Sequence, residues 1–184
     1  MPRRDGDRTF ISQVAIGPTG TTLGHFDKLH AAQFGHSMEK EFFSRGDHLL
    51  TFACAGLTVA PITCYDIRFP ELSRTLVVDH GADLLLHCSA FSRDESFSSW
   101  HAFLTARAME NQVPVLGLSR AGAGWGGSML CGPWVDDAHP PLRFPEHDET
   151  LVRFEIDPSR IAEVRRAYTF LGDRLPNYRG LPMT

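Results

Sequence analysis

An α/β layered fold is the class that this sequence predicts, and three observations carry it. Apolar runs of strand length, Leu57 to Thr63, Asp83 to Cys88 and Val113 to Leu118, alternate with segments of helical character, the succession of parallel strands joined by crossover helices. Ser96 to Asn111 places Phe97, Trp100, Leu104 and Ala108 at spacings of three, four and four, which is one face of a helix laid on a sheet. Pro70 opens the other helical segment at a position proline favours, with Glu71 in the first turn facing the positive end of the dipole.

The elements follow in order. Phe10 to Ile16 and Thr22 to Phe26 flank the turn signal GPTG and read as a hairpin. Leu29 to Gly46 is longer than a plain connection needs, and long loops in compact domains are often functional. His48 to Cys54 and Leu57 to Thr63 read as strands separated by Ala55 and Gly56. The helix from Pro70 is expected to end near His80 with Gly81 as its cap, before the Asp83 to Cys88 strand. Arg120 to Gly127 is glycine-rich but lacks the spacing of a phosphate loop, and reads as a flexible connection. Ser128 to Cys131 and Thr150 to Ile156 read as further strands, and Asp157 as the N-cap of a short helix with Pro158 at its first position.

Composition narrows the classes. A chain of 184 residues with 42% hydrophobic and 22% charged residues fits one globular domain, and no apolar run reaches the roughly 20 residues of a membrane span. A net charge of −4 with scattered basic residues argues against nucleic acid as a partner. The charged start has no apolar h-region and the four cysteines have no framework spacing, so a cytoplasmic setting is expected. Cys54, Cys88 and Cys131 lie in strand-like runs and read as small buried hydrophobes.

Cys64 differs. It ends an apolar strand just before a helix start, where α/β folds place reactive groups. Its surroundings, CYDIRFPEL, resemble the cysteine motif of the nitrilase (carbon-nitrogen hydrolase) superfamily, closer to the amidase-like branch, and FDKLH at Phe26 to His30 resembles that family's lysine motif. The resemblance implies an α-β-β-α sandwich and hydrolysis of a small amide through a thioester on a cysteine, assisted by a lysine and a glutamate, with no cofactor or metal. Cys64 matches the nucleophile and Lys28 the lysine, which would lower the thiol pKa together with the helix start at Pro70. Glu39, in HSMEKEFFSRGD, matches a second, structural glutamate, with Glu41 as the alternative. Tyr65 matches the residue whose backbone amide serves an oxyanion hole, and Ser89, Ala90 and Phe91 are expected to line the substrate pocket. Arg107 and Glu110 read as a surface or interface pair, and His30 and His101 as packing residues.

One part of the family pattern is not matched. The family's general-base glutamate precedes its lysine motif, and Met1 to Arg8 holds no glutamate, so the chain is expected to be N-terminally truncated relative to the family. A rate loss of roughly 10² to 10⁴ is then expected, and so is association, with a second copy or with a complementing N-terminal polypeptide. A catalytically inactive binding or scaffold module is the alternative reading. A papain-like hydrolase is disfavoured, because none of the nine histidines carries a contextual mark as a base.

Overall fold

The computed structural model describes residues 1–35 and 37–183; His36, in the long loop, lies outside them. Two sheets organise the chain. The first is antiparallel: β1 (Pro2–Asp5), β2 (Arg8–Ile16) and β3 (Thr22–Asp27), in that order. The second has six strands in the order β4 (Phe52–Cys54), β5 (Leu57–Thr63), β6 (Leu84–Ser89), β7 (Val115–Ser119), β8 (Met129–Cys131) and β9 (Leu142–Arg143). Its centre, β5 to β6 to β7, is parallel, and the outer pairs are antiparallel.

The parallel centre follows from the crossovers. A 3₁₀ turn, Cys64–Arg68, and α2 (Pro70–Val78) join β5 to β6, and α3 (Phe97–Asn111) joins β6 to β7. Both helices lie on one face, where Ala60, Ile62, Leu85 and Val115 of the strands meet Leu72, Leu76, Trp100, Leu104 and Ala108. The alternate strand residues, Leu57, Val59, Leu84 and Leu116, form a second apolar layer with Phe144, Phe154 and Ile156 on the opposite face. Gly117 is required by this packing, because a Cβ there would stand 2.4 Å from a methyl of Leu104. The first sheet meets the second where Gln13 Nε2 donates to the Ile62 carbonyl and to Thr63 Oγ1, each at 2.8 Å.

The remaining helices are α1 (Glu39–Phe42), α4 (Pro158–Ala167) and α5 (Phe170–Asp173). Asp157 caps α4 by accepting from the Ser159 amide at 2.8 Å. Several expectations need correction. Residues 48–51 are not strand, and Thr150 to Ile156 is extended coil whose Phe154 and Ile156 cover the sheet without joining a ladder. Cys54 is exposed at the β4–β5 turn and Cys88 is half-buried, so of the three cysteines read as buried only Cys131 is. Arg107 is buried, its Nε donating to the Ile67 carbonyl at 2.9 Å and its Nη1 to Glu110 at 2.8 Å.

Candidate active site

Strand β5 delivers Cys64 to the carboxyl end of the second sheet in a backbone conformation with φ of 47°, which a residue with a Cβ adopts only when its surroundings enforce it. The enforcement is visible. Asp66, fully buried, accepts from the Thr63 amide at 3.1 Å and from both the backbone amide and Nδ1 of His30, at 3.0 and 2.8 Å. The His30 ring stacks on Phe69 with centroids 3.6 Å apart. The 3₁₀ turn that opens at Cys64 and the loop leaving β3 are thereby tied through one carboxylate.

That loop carries Lys28, which is buried, with Nζ donating to Glu39 Oε1 at 2.7 Å and Oε2 at 2.6 Å. Glu39 also accepts from the Ala32 amide at 2.7 Å, while Glu41 is met by Gln33 Nε2 at 3.1 Å on the exposed side. Geometry thus separates two glutamates that the sequence left as alternatives. The loop can close on β3 because Gly46 passes it: a Cβ on Gly46 would stand 2.1 Å from the Asp27 carbonyl oxygen.

Burial pushes the Cys64 thiol above its ordinary pKa; the Lys28 cation and the Ala90 N–H pull it back, and the charges of Glu39 and Asp66 add to the rise. Lys28 acts in the expected direction, but desolvation outweighs it, so the expectation of a lowered pKa is corrected. The two carboxylates whose charge reaches Cys64 are both occupied, Glu39 by Lys28 and Asp66 by Thr63 and His30.

The residues named for the pocket lie at the end of β6, beside β5. Ala90, next after the strand, acts on Cys64 through its backbone, in the direction that lowers the thiol pKa. Ser89 turns its hydroxyl away, donating to the Leu118 carbonyl at 3.2 Å. Phe91 stacks on Trp100 at 5.7 Å, and the Tyr65 ring packs edge-on to Phe69 at 5.3 Å and against Phe34 at 5.1 Å. Arg68 places its guanidinium 5.1 Å from the Phe103 ring centre and 6.0 Å from that of Tyr65.

Metal-ligating side chains gather elsewhere. Among the described residues, His25, Asp27 and His48 bring ligand atoms within 4.8 Å of one another. Asp27 accepts from Arg3 at 2.6 and 3.1 Å and from Ser12, and His48 turns Nε2 away as a donor to the His25 carbonyl at 2.8 Å. Burial works against ionisation of Asp27, yet the bonds from Arg3 and Ser12 hold its carboxyl below the usual range. The set fits an ion-paired cluster better than a cation site.

The site thus brings together a buried lysine paired with a half-buried glutamate and a cysteine held at positive φ at a strand end. The carbon-nitrogen hydrolase family model matches residues 1–166. The chain belongs to the carbon-nitrogen hydrolase family. Among curated proteins it is similar to omega-amidase NIT2 of Bos taurus, 30% identical over 177 residues, covering 90% of this chain and 62% of that protein. The chain therefore spans less than two thirds of the length of such relatives. A CN-hydrolase superfamily protein from Xanthomonas campestris has the same fold, with a TM-score of 0.83, 24% identity, and coverage of 97% of this chain and 69% of that one. A mutant amidase from Nesterenkonia sp. AN1, carrying acrylamide added at its active-site cysteine, superposes with a TM-score of 0.68 and 27% identity, covering 80% and 57%.

Sequence reasoning missed one residue that touches Cys64: His87, fully buried, whose Nε2 meets the Cys64 carbonyl at 3.0 Å, is not singled out by it. The available signal for His87 was a polar side chain inside the apolar run LLLHC, because a buried polar group must find partners.

Proposed function

We propose that this chain carries the nucleophile and cation of an amidase: Cys64 attacks the carbonyl carbon of a small amide, the C–N bond breaks with departure of the amine or ammonia, and water hydrolyses the thioester. The observation that carries the reading is the Lys28–Glu39 pair held against a cysteine in the left-handed region. Lys28 faces the charge that develops on the carbonyl oxygen, and the Ala90 N–H is a second donor. Glu39 spends both oxygens on Lys28, which favours it as the residue that orients the cation over a base that takes the thiol proton. An amide is favoured over a nitrile by the named activities of the similar proteins, omega-amidase and amidase.

Intact mass after incubation with small amides tests this reading. An acyl adduct confined to Cys64, lost in Cys64→Ala, is the expected result. Glu39→Gln, which leaves Lys28 a single acceptor oxygen and sets an amide NH2 against its ammonium, should cut turnover by about 10²-fold with the fold intact. Turnover unaffected by Cys64→Ala would overturn the assignment. An unmodified Cys64 with every amide, in a chain that binds them, would favour the scaffold alternative.

A further inference from the structure

Strain at a nucleophile has to be held by something, and Asp66 holds only the residues flanking it. The carbonyl of Cys64 itself is gripped from behind. His87, on β6, is fully buried and donates from Nε2 to that carbonyl at 3.0 Å. Its other nitrogen, Nδ1, accepts from the indole N–H of Trp100 at 3.3 Å, and Trp100 is itself fully buried on α3. An indole nitrogen only donates and a carbonyl only accepts, so these two partners admit one form of the ring: neutral, with its proton on Nε2.

We propose that His87 is a positioning residue for Cys64: locked in the Nε2–H tautomer by Trp100, it fixes the Cys64 carbonyl and so holds the backbone at the φ of 47° that sets the direction of the sulfur. Three elements converge in the device, the turn after β5, β6 and α3. Register places it, since Ile62 pairs with His87 and Thr63 with Cys88 in the parallel ladder, bringing the imidazole two residues below Cys64. Burial draws the His87 pKa down to about 4, which keeps the ring in the required neutral form at neutral pH. A cation there would set an N–H against the indole N–H. The role is not catalytic, because His87 reaches the reacting sulfur only through the Cys64 backbone.

The inference rests on Cys64 being the nucleophile, and its test is separable from amide turnover. In the ¹⁵N-labelled full chain at pH 7, NMR is expected to show His87 as the Nε2–H tautomer; an Nδ1–H tautomer or an imidazolium overturns the proposal. Acylation of Cys64 by p-nitrophenyl acetate, in which the S–C bond forms, p-nitrophenolate leaves and the thiol proton passes to buffer, is followed by intact mass. His87→Phe, which removes both hydrogen bonds, should slow it by about 10- to 100-fold, the scale of a misplacement near 1 Å. His87→Gln keeps an N–H donor for the same carbonyl and should stay within about threefold of the parent. Equal acylation in folded His87→Phe, or a Gln variant as slow as the Phe variant, overturns the proposal. Should His87→Phe not fold, the tautomer and the Gln variant decide it. Normal acylation with no amide cleaved would leave this inference standing and remove the amidase reading, whereas a parent Cys64 that the ester never acylates removes both.

Discussion

Strand β5 is bounded at each end by a cysteine and by a residue forced into the left-handed region, and the two ends are opposites. At its start, Ala55 with φ of 49° and Gly56 with φ of 82° make a tight hairpin turn beside Cys54, which is exposed. At its finish, Cys64 has nearly the same φ of 47° but is surrounded by His87, Asp66 and the Lys28 loop. Positive φ at Ala55 is what a two-residue hairpin demands, and Gly56 beside it carries half of the requirement without strain. The same torsion at Cys64 is imposed by tertiary partners from three elements. Nearly equal φ values therefore mean turn chemistry at one end and a tertiary-held cysteine at the other, and what separates them is the partners.

The contrast can be broken hardest at Lys28. Replacing it by Met removes the cation that lowers the Cys64 pKa and leaves Glu39 half-buried with only the Ala32 amide, so turnover of an amide should fall by about 10² to 10³-fold. Cys54→Ser, at the other end of the same strand, should leave turnover unchanged. Steady-state kinetics on the two variants side by side makes the comparison.

Acid separates the ends next. His87 titrates at about 4 when folded, against 6.5 for an ordinary histidine, because burial disfavours its cation. Between those values the unfolded chain binds the proton and the folded chain does not, so stability is full above pH 6.5 and is lost as pH falls towards 4. The loss is about 3 kcal/mol from this one residue. His101, also lowered by burial, adds in the same direction, whereas His48 is raised, chiefly by its bond to the His25 carbonyl, and acts above pH 6.5. Urea unfolding at pH 7 and pH 4 reads the slope, and His87→Gln should flatten it.

The smallest effect belongs to the hairpin. Ala55→Gly removes the left-handed penalty of a Cβ and should raise stability by about 0.5 to 1 kcal/mol, after the unfolded-chain entropy that glycine regains. Thermal unfolding measures it, and acylation of Cys64 should not change.

How much of this was legible in the chain follows the same divide. Leu57 to Thr63, the stop at Cys64 and the helix at Pro70 were legible because each is written locally, in an apolar run and a proline at a helix start. The Lys28 and Glu39 assignments came from motif resemblance, and the structure adds the bond between them. Thr150 to Ile156 was misread because its alternating apolar residues do cover a sheet face, yet no neighbouring strand offers it a ladder. Arg107 reads from sequence as half of a surface or interface pair, since i, i+3 spacing with Glu110 says nothing about the Ile67 carbonyl 40 positions away. The partners of His87, in the turn after β5 and on α3, and the His30 partner of Asp66 in the lysine loop lie too far along the chain for a local pattern to show them, and only the polar His87 inside LLLHC and the Thr63–Asp66 cap are written locally.

Asp66 has a further consequence, in how the molecule opens. It is the shared acceptor for Thr63, one residue before the nucleophile, and for His30, two residues after the lysine. Neither segment can swing outward without stranding a fully buried carboxylate, and local fluctuations that strand such a group are suppressed towards the scale of global unfolding. The thiol and the ammonium thus belong to one cooperative unit despite the 36 positions that separate Lys28 from Cys64, and they breathe together or not at all.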